Sequence, residues 1–392
     1  MQDAYIIAGY RTAVTKSKRG GFRFYRPDDL AITVIQGLLA SVPQLDPKQV
    51  DDVIVGNAVP EAEQGLQVGR IIAARAVGIG VPGMTVNRYC ASGLESIAIA
   101  TAKIRSGLAE CIIAGGTESM TMVPTSGWKV VPSFSIAAED PDYYLNMGLT
   151  AEAVAKEYQV SREDQDRFSY LSHQKALRAI GEGFFKAGIL PVKVEEVFLD
   201  KNGKKQQKEY IVDTDEGPRA DTSPEALAKL KPVFAAGGTI TAGNSSQTSD
   251  GAAFVIVMGE NMVNKLGLKP IARLVSCASA GVHPRIMGIG PVEAVPKALK
   301  QADMKLSQID LIELNEAFAS QALAVIRKLD LNPDIVNING GAIALGHPLG
   351  CTGTKLTIQI TQDLKRLHKK FGIVTACVGG GQGIAGIIEH MS

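Results

Sequence analysis

Apolar, β-branched runs alternate with helix-like segments along most of this chain, and that alternation limits the fold more than any other feature. The runs DAYIIA, DDVIVGN, MTVNRYC and ECIIAGG read as strands; PDDLAITVIQGLLASV, GLQVGRIIAARAVGI and residues 91–107 read as the helices between them. Strands without a polar face, separated by helices, belong to α/β folds whose sheets are covered on both sides. The pattern lapses from Ser119 to Asn244. Pro/Ser/Gly-rich loops, two helices near 150–158 and 162–182, and the charged tract DKNGKKQQKEY make this stretch an expected insertion domain. Alternation resumes with AAFVIVMG and continues to the end.

A repeat runs through the alternation. DVIVGN at 52–57 matches DLIELN at 310–315, Val86-Asn87 matches Val336-Asn337, and CIIAGG at 111–116 matches CVGGG at 377–381, in the same order. Chance likeness among generic strands is the competing reading. Taken as a repeat, the chain divides into a first half, 1–120 with 246–270, and a second half, 271–392, with 121–245 inserted into the first. If the halves pack as pseudo-symmetric partners, equivalent strand ends converge, and with them Cys90, Asn315, His347 and Cys377.

At 392 residues the chain exceeds one ordinary core. Hydrophobic residues make up 45% and charged residues 21%, the balance of a soluble globular protein. Lys plus Arg (41) against Asp plus Glu (40) leaves a net charge of +1, with no general attraction to nucleic acid or an anionic membrane. At 5% aromatic, the chain has little surface for stacking bases. No apolar run approaches the ~18 residues of a membrane span. The start, MQDAYIIAGYRT, enters a strand without the basic and apolar regions of a signal peptide. Five scattered cysteines argue for a reducing compartment rather than a disulfide framework, and the cytoplasm is the expected location.

Cys90 follows MTVNRY and precedes ASGLESIAIATAKIRSG, so a helix N-terminus faces the thiol and favours its thiolate. Ala91, Ser92 and Gly93 leave room beside the sulfur. A buried structural cysteine fits this context equally well. His347 sits between glycines in NGGAIALGHPLGCTGT, held by backbone rather than by an apolar face, as suits a positioned general base. Cys377 runs into Gly379, Gly380 and Gly381, whose N–H groups can point into a cavity as an oxyanion hole needs. The G-x-G-x-x-G match at Gly381, Gly383 and Gly386 lies too near the end of the sequence for a dinucleotide fold. Asn315 ends a strand in LIELNEAFASQAL, either as a helix N-cap or aimed at a developing oxyanion. His347 and Cys351 lack the further ligands of a metal site, so none is expected; Cys111 and Cys277 read as core residues.

Together these segments resemble the thiolase family over the whole chain. VNRYCASGL is similar to its nucleophile segment, LNEAFA to its Asn loop, NGGAIALGHPLGCTG and CVGGGQG to its histidine and second-cysteine signatures, and TAGNSSQTSDGAA to its pantetheine-contacting segment. The resemblance implies a five-layered αβαβα fold of two pseudo-symmetric halves with an inserted loop domain. It implies that Cys90 carries an acyl group, His347 takes its proton, Cys377 exchanges protons with the acetyl unit and with CoA, and Asn315 and Gly379 serve the oxyanion sites. Ser246, Arg219, Met147, Phe234 and Phe318 are the implied CoA contacts. Coenzyme A is then a co-substrate, with no tightly bound cofactor and no metal. The implied partners are acyl-CoA and CoA, a second or further copies of the chain as homodimer or homotetramer, and other β-oxidation enzymes.

Two positions depart from common family patterns. Asn146 in YYLNMGLTAE stands where acetoacetyl-specific members usually carry histidine, which favours a degradative enzyme of wider chain-length tolerance; Gln247 replaces a frequent Gly beside the pantetheine segment. The rival readings are a biosynthetic acetyl-CoA acetyltransferase, a β-ketoacyl synthase-like condensing enzyme, an inactive lipid-carrier or interaction subunit, and a thiol redox sensor.

Overall fold

The computed structural model describes residues 2–391, so Met1 and Ser392, the outer ends of the two expected halves, lie outside the description. The first half opens with β1 (Ala4–Arg11) and β2 (Thr15–Lys16). It then alternates through α1 (Pro27–Ser41), β3 (Asp52–Gly56), α2 (Val68–Ala76), β4 (Gly83–Val86), α3 (Ser92–Arg105) and β5 (Cys111–Ser119). A long excursion follows, with α4 (Phe134–Glu139), α5 (Met147–Glu157), α6 (Arg162–Gly181), a hairpin of β6 (Val192–Leu199) and β7 (Lys205–Val212), and α7 (Pro224–Ala228). The chain returns through β8 (Ser249–Gly259) and α8 (Glu260–Leu266). The second half comprises β9 (Ala272–Gly281), α9 (Gly290–Gln301), β10 (Leu311–Leu314), α10 (Ala319–Lys328), α11 (Ala342–Leu345), α12 (Leu349–Arg366), β11 (Phe371–Val378) and β12 (Gln382–His390).

The strands fall into two matching sets, β4-β3-β5-β8-β1 and β10-β11-β12-β9, joined edge to edge where Ile6 of β1 meets Ala272 of β9. In both sets the first strands are parallel and the return strand antiparallel: β3 with β5 and β10 with β11, then β5 with β8 and β11 with β12. The repeat is therefore real at the level of elements, but two of its residue matches shift. Val53 pairs with Ile113, and its equivalent Leu311 pairs with Gly372, which places Cys377 opposite Glu118 and not Cys111. Likewise Ile54 pairs with Met84 while Ile312 bridges to Val336, so Val86-Asn87 corresponds to Ile338-Asn339.

Strand residues alternate between faces, and each face is covered. Val53, Val55, Ile113, Phe254 and Ile256 pack under Leu30, Ile35 and Leu38 of α1 and Ile72 of α2. The opposite face, with Ile54, Ile112 and Val255, meets Leu94, Ile97 and Ile104 of α3 and Leu356, Ile358 and Ile360 of α12. The same two helices cover Val374, Ile384 and Ile388 of the second sheet. Its outer face, with Ile312, Ile373 and Ile387, packs against Val295 and Leu299 of α9 and Val325 and Ile326 of α10. The layers thus run α, β, α, β, α, with α3 and α12 as the shared middle.

That position buries α12 almost all round, although it carries several polar residues. Three of its threonines bond back along their own segment, the hydroxyls of Thr352, Thr357 and Thr361 donating to the carbonyls of Pro348, Gly353 and Thr357 at 2.8–2.9 Å, while Thr354 donates across to Gly93 O of α3 at 2.9 Å. The excursion is tied down by a buried ion pair, Arg11 Nη1 and Nη2 to Asp215 at 2.7 and 2.8 Å, with Val14 N–H also donating to Asp215. The β6–β7 hairpin had no counterpart in the sequence reading; β7 is polar and largely exposed, so no apolar period marks it. Among the described residues, no helix is long and apolar enough to cross a membrane.

Candidate active site

Cys90 lies at a turn that the backbone makes under constraint. After β4, Asn87 Oδ1 accepts the N–H of Tyr89 at 2.8 Å, an Asx turn that holds Tyr89 at φ 42°, a left-handed conformation costly for an aromatic residue. One 3₁₀ turn, Tyr89–Ala91, then delivers Cys90 to the start of α3. Ser92 fastens the turn, accepting from Arg88 N–H and donating to Tyr89 O. Burial pushes the Cys90 thiol up to about 12 despite a hydrogen bond from Gly379 N–H. Desolvation outweighs the α3 N-terminus, so the resting group is a neutral thiol, contrary to the expectation of a favoured thiolate.

Cys377, the penultimate residue of β11, is fully buried, and its thiol is raised by burial and by the neighbouring Cys90. The glycines after it make the sharp exit, Gly380 at φ 80° and Gly381 at φ 84°. Gly379 brings its own N–H to Cys90 and faces Tyr89 and the Met147 sulfur.

His347 follows Gly346, whose φ of 90° no side chain adopts readily, and precedes Pro348 and α12. Because Thr352 donates its hydroxyl to Pro348 O, it accepts from His347, whose Nδ1 lies 2.6 Å away. The proton on Nδ1 leaves Nε2 bare, and Asn315 Nδ2 donates to it at 3.2 Å. Burial, then the Lys355 charge, pushes the imidazole down to about 3, so it is a neutral acceptor. Asn315 is no helix cap: α10 starts at Ala319 with Phe318 as its N-cap. Its Oδ1 is buried and has no hydrogen-bond partner among the described residues.

Of the expected contact residues, Met147 and Phe318 share one apolar cluster with Cys377, and Phe234 meets Phe318 edge-on at 6.2 Å. Ser246 N–H donates to Ala317 O at 2.9 Å, placing it beside Phe318. Arg219 stands apart from this cluster, exposed and paired with Asp221 at 3.0 Å. It lines a cavity of about 350 Å³ with Lys16, Arg19, His173, Gly243 and Gln247. Gln247 welds the excursion to the histidine loop: its amide donates to Gly217 O, Ile343 O and Ala344 O, and its carbonyl accepts His347 N–H at 3.2 Å.

Sequence reasoning missed two buried carboxylates at this site. Glu316 accepts from Ser172, Asn337 and Ile343 N–H, holding the histidine loop to α6. Glu118, the penultimate residue of β5, accepts from Ala58, Gly350, Gln64 and Asn57. A charged residue closing an otherwise apolar run was the available signal.

Residues 4–261 match the family model "Thiolase, N-terminal domain" and residues 268–390 "Thiolase, C-terminal domain". The chain is 50% identical over 390 residues to a 3-ketoacyl-CoA thiolase of Bacillus subtilis (strain 168), covering 99% of this chain and 100% of that one. It is 43% identical to an acetyl-CoA acetyltransferase of Pseudomonas aeruginosa, covering 98% of each. The crystal structure of the Bacillus anthracis acetyl-CoA acetyltransferase superposes with a TM-score of 0.90 at 37% identity, covering 100% of this chain and 99% of that one. Two family models that together span nearly the whole sequence, on the layered fold described above, show that this chain is an acyltransferase of the thiolase family.

Proposed function

We propose that the chain is a degradative 3-ketoacyl-CoA thiolase. The observation that carries this reading is a pair of neighbouring thiols, Cys90, which accepts the Gly379 N–H, and Cys377, together with the neutral, hydrogen-bonded His347–Asn315 pair. In the proposed course, His347 Nε2 takes the Cys90 proton and the sulfur adds to the 3-keto carbon. The bond between C2 and C3 breaks; its electron pair leaves as the acetyl-CoA enolate, which Cys377 protonates, while the acyl group stays on Cys90. CoA gives its thiol proton to the Cys377 thiolate and attacks the thioester. Cys90 departs and recovers its proton from His347. Exchange between two thiols is nearly thermoneutral, which suits a cysteine as carrier. The backbone N–H groups of Cys90 and Gly379 serve one oxyanion; His347 and a water held by Asn315 serve the other.

In this reading CoA lies along Ser246, Met147, Phe234 and Phe318, with Arg219 near its phosphates. Support comes from the apolar cluster that joins Met147 and Phe318 to Cys377, from Phe234 edge-on to Phe318, and from the basic cavity at Arg219. The proposal extends to a cytoplasmic homo-oligomer working beside other β-oxidation enzymes. Among the described residues the outer edge of β4 has no strand partner, and Trp128, Val130, Val131 and Phe134, close in sequence, are all exposed, both consistent with copies associating.

A biosynthetic acetyl-CoA acetyltransferase is the second reading, favoured by the names of the Pseudomonas and Bacillus anthracis relatives. Against it stands Asn146, which caps α5 by accepting Gly148 N–H at 2.8 Å where acetoacetyl-specific members usually carry histidine. CoA-dependent cleavage of 3-ketoacyl-CoAs of increasing chain length separates the two. Activity confined to acetoacetyl-CoA would overturn the degradative reading.

A further inference from the structure

Glu118 occupies, on the first half, the strand-end position that Cys377 occupies on the second. It is buried, and it lies outside the proposed proton path. Its oxygen Oε2 accepts two backbone N–H groups at once, Ala58 and Gly350, both at 2.8 Å. Oε1 accepts from the side chains of Gln64, at 2.7 Å, and Asn57, at 3.3 Å.

The two backbone donors open two separate routes. On one, Ala58 O accepts from Asn87 Nδ2 at 3.0 Å, and Asn87 Oδ1 in turn holds Tyr89 N–H, the residue strained just before Cys90. On the other, Gly350 lies in the first turn of α12, whose Thr352 holds His347 Nδ1. A single oxygen therefore stands between the turn that presents the thiol and the helix start that orients the imidazole. A carboxylate at the N-terminus of α12 also complements the helix dipole there.

We infer that Glu118 is a positioning residue for acyl transfer, fixing the turn before Cys90 and the start of α12 against each other through one carboxylate oxygen. The inference rests on the roles proposed above for Cys90 and His347. Misplacing a reacting pair by an ångström costs on the order of a hundredfold in rate, so a hydrogen-bonded bridge of this kind has kinetic consequences that substrate binding does not share.

The test compares the full-length wild type with Glu118→Gln, Glu118→Met and Asn87→Ala, measuring kcat and KM for 3-ketoacyl-CoA cleavage, melting temperature and Cys90 alkylation by iodoacetamide. Gln keeps an oxygen for the bridge, Met keeps the length without one. The Gln variant is expected to retain kcat within about tenfold, while the Met variant loses about a hundredfold or more with KM for CoA within about threefold. Alkylation consumes the thiolate, so it is expected to stay within about threefold of wild type in the Gln variant and to slow along with kcat in the Met variant. Equal losses in Gln and Met, a loss confined to KM, or undiminished kcat in the Met variant would each overturn the inference. If the Met variant does not fold, Asn87→Ala decides: it leaves Glu118 and all its donors in place and cuts one route. It is expected to lower kcat about tenfold at an unchanged melting temperature, and an unchanged kcat overturns the inference. A wild type that alkylates normally but cleaves no 3-ketoacyl-CoA would count instead against the proposed function.

Discussion

The Nδ1 of His347 lies 2.6 Å from the Thr352 hydroxyl, which itself donates to Pro348 O, so the first turn of α12 dictates which nitrogen of the imidazole carries the proton. Thr352→Val removes that acceptor and leaves the tautomer unset. Acylation of Cys90 is expected to slow at least about tenfold, with Thr352→Ser restoring most of it. Pre-steady-state acylation kinetics check this; a Val variant as fast as wild type would show that the hydroxyl does not orient the ring.

Cys90 and Cys377 predict different failures. Cys90→Ser is expected to abolish thiolysis, because a hydroxyl is a far weaker acid than a thiol and gives a far less reactive nucleophile. Cys377→Ala is expected to allow some acyl-enzyme to accumulate while turnover stops. Intact-mass measurement after substrate addition separates these outcomes, and full activity in either variant refutes the assignment.

Stability is expected to fall on both sides of neutrality, for opposite reasons. His347 and His173 are held neutral in the fold, down to about 3 and about 4 from 6.5, while the unfolded chain protonates near 6.5. Their contribution is complete above about pH 6.5 and is lost as pH falls toward 4 and 3. The cysteines act in the other direction. Cys90, Cys111, Cys277 and Cys351 are raised from 9.0 to about 12, and Cys377 is raised as well. Their contribution is complete below about pH 9 and drains away as unfolded thiols ionise above it. Urea midpoints under reducing conditions should be flat from about pH 7 to 8.5 and drop by pH 10. A midpoint unchanged between pH 8 and 10 would contradict the buried, neutral thiols.

Asp215→Asn strands the buried Arg11 guanidinium, whose carboxylate partner sits in the excursion while it sits on β1. Burial alone would raise the Asp215 carboxyl, yet the Arg11 charge and hydrogen bonds hold it below the usual carboxylate range. The loss is expected to be about 3–5 kcal/mol, read from denaturant unfolding, whereas the exposed Arg219–Asp221 pair is expected to contribute nothing measurable.

Much of this architecture was legible in residue order, because buried strands and amphipathic helices leave periods that survive in a single sequence. The halves, Cys90, His347, Cys377 and Gly379 announced themselves through apolar runs that end in small or glycine-rich turns. Register was less legible. CIIAGG and CVGGG look alike as strings, yet the strand registers make Glu118, a residue of different chemistry, the positional equivalent of Cys377. Asn315 kept two readings until its neighbour was known, since a cap and a partner for His347 demand the same amide. Glu118, and what Gln247 bonds to, were hidden because their partners arrive from distant segments, and no local spacing encodes such a meeting. The thiolate favoured at the start of α3 was the wrong side of a competition, in which desolvation exceeded the dipole.

The middle layer has a consequence for the independence of the two halves. Each contributes one helix, α3 or α12, to a slab that both sheets need as cover. A chain cut near Leu268 would leave each piece with a sheet face open and an orphaned helix, in effect an exposed oily surface. The duplicated units have become mutual chaperones, so ribosome release, proteolytic nicking and unfolding all act on one indivisible object. A protease that clips the joint without separating the pieces should leave a noncovalent pair that still melts as one.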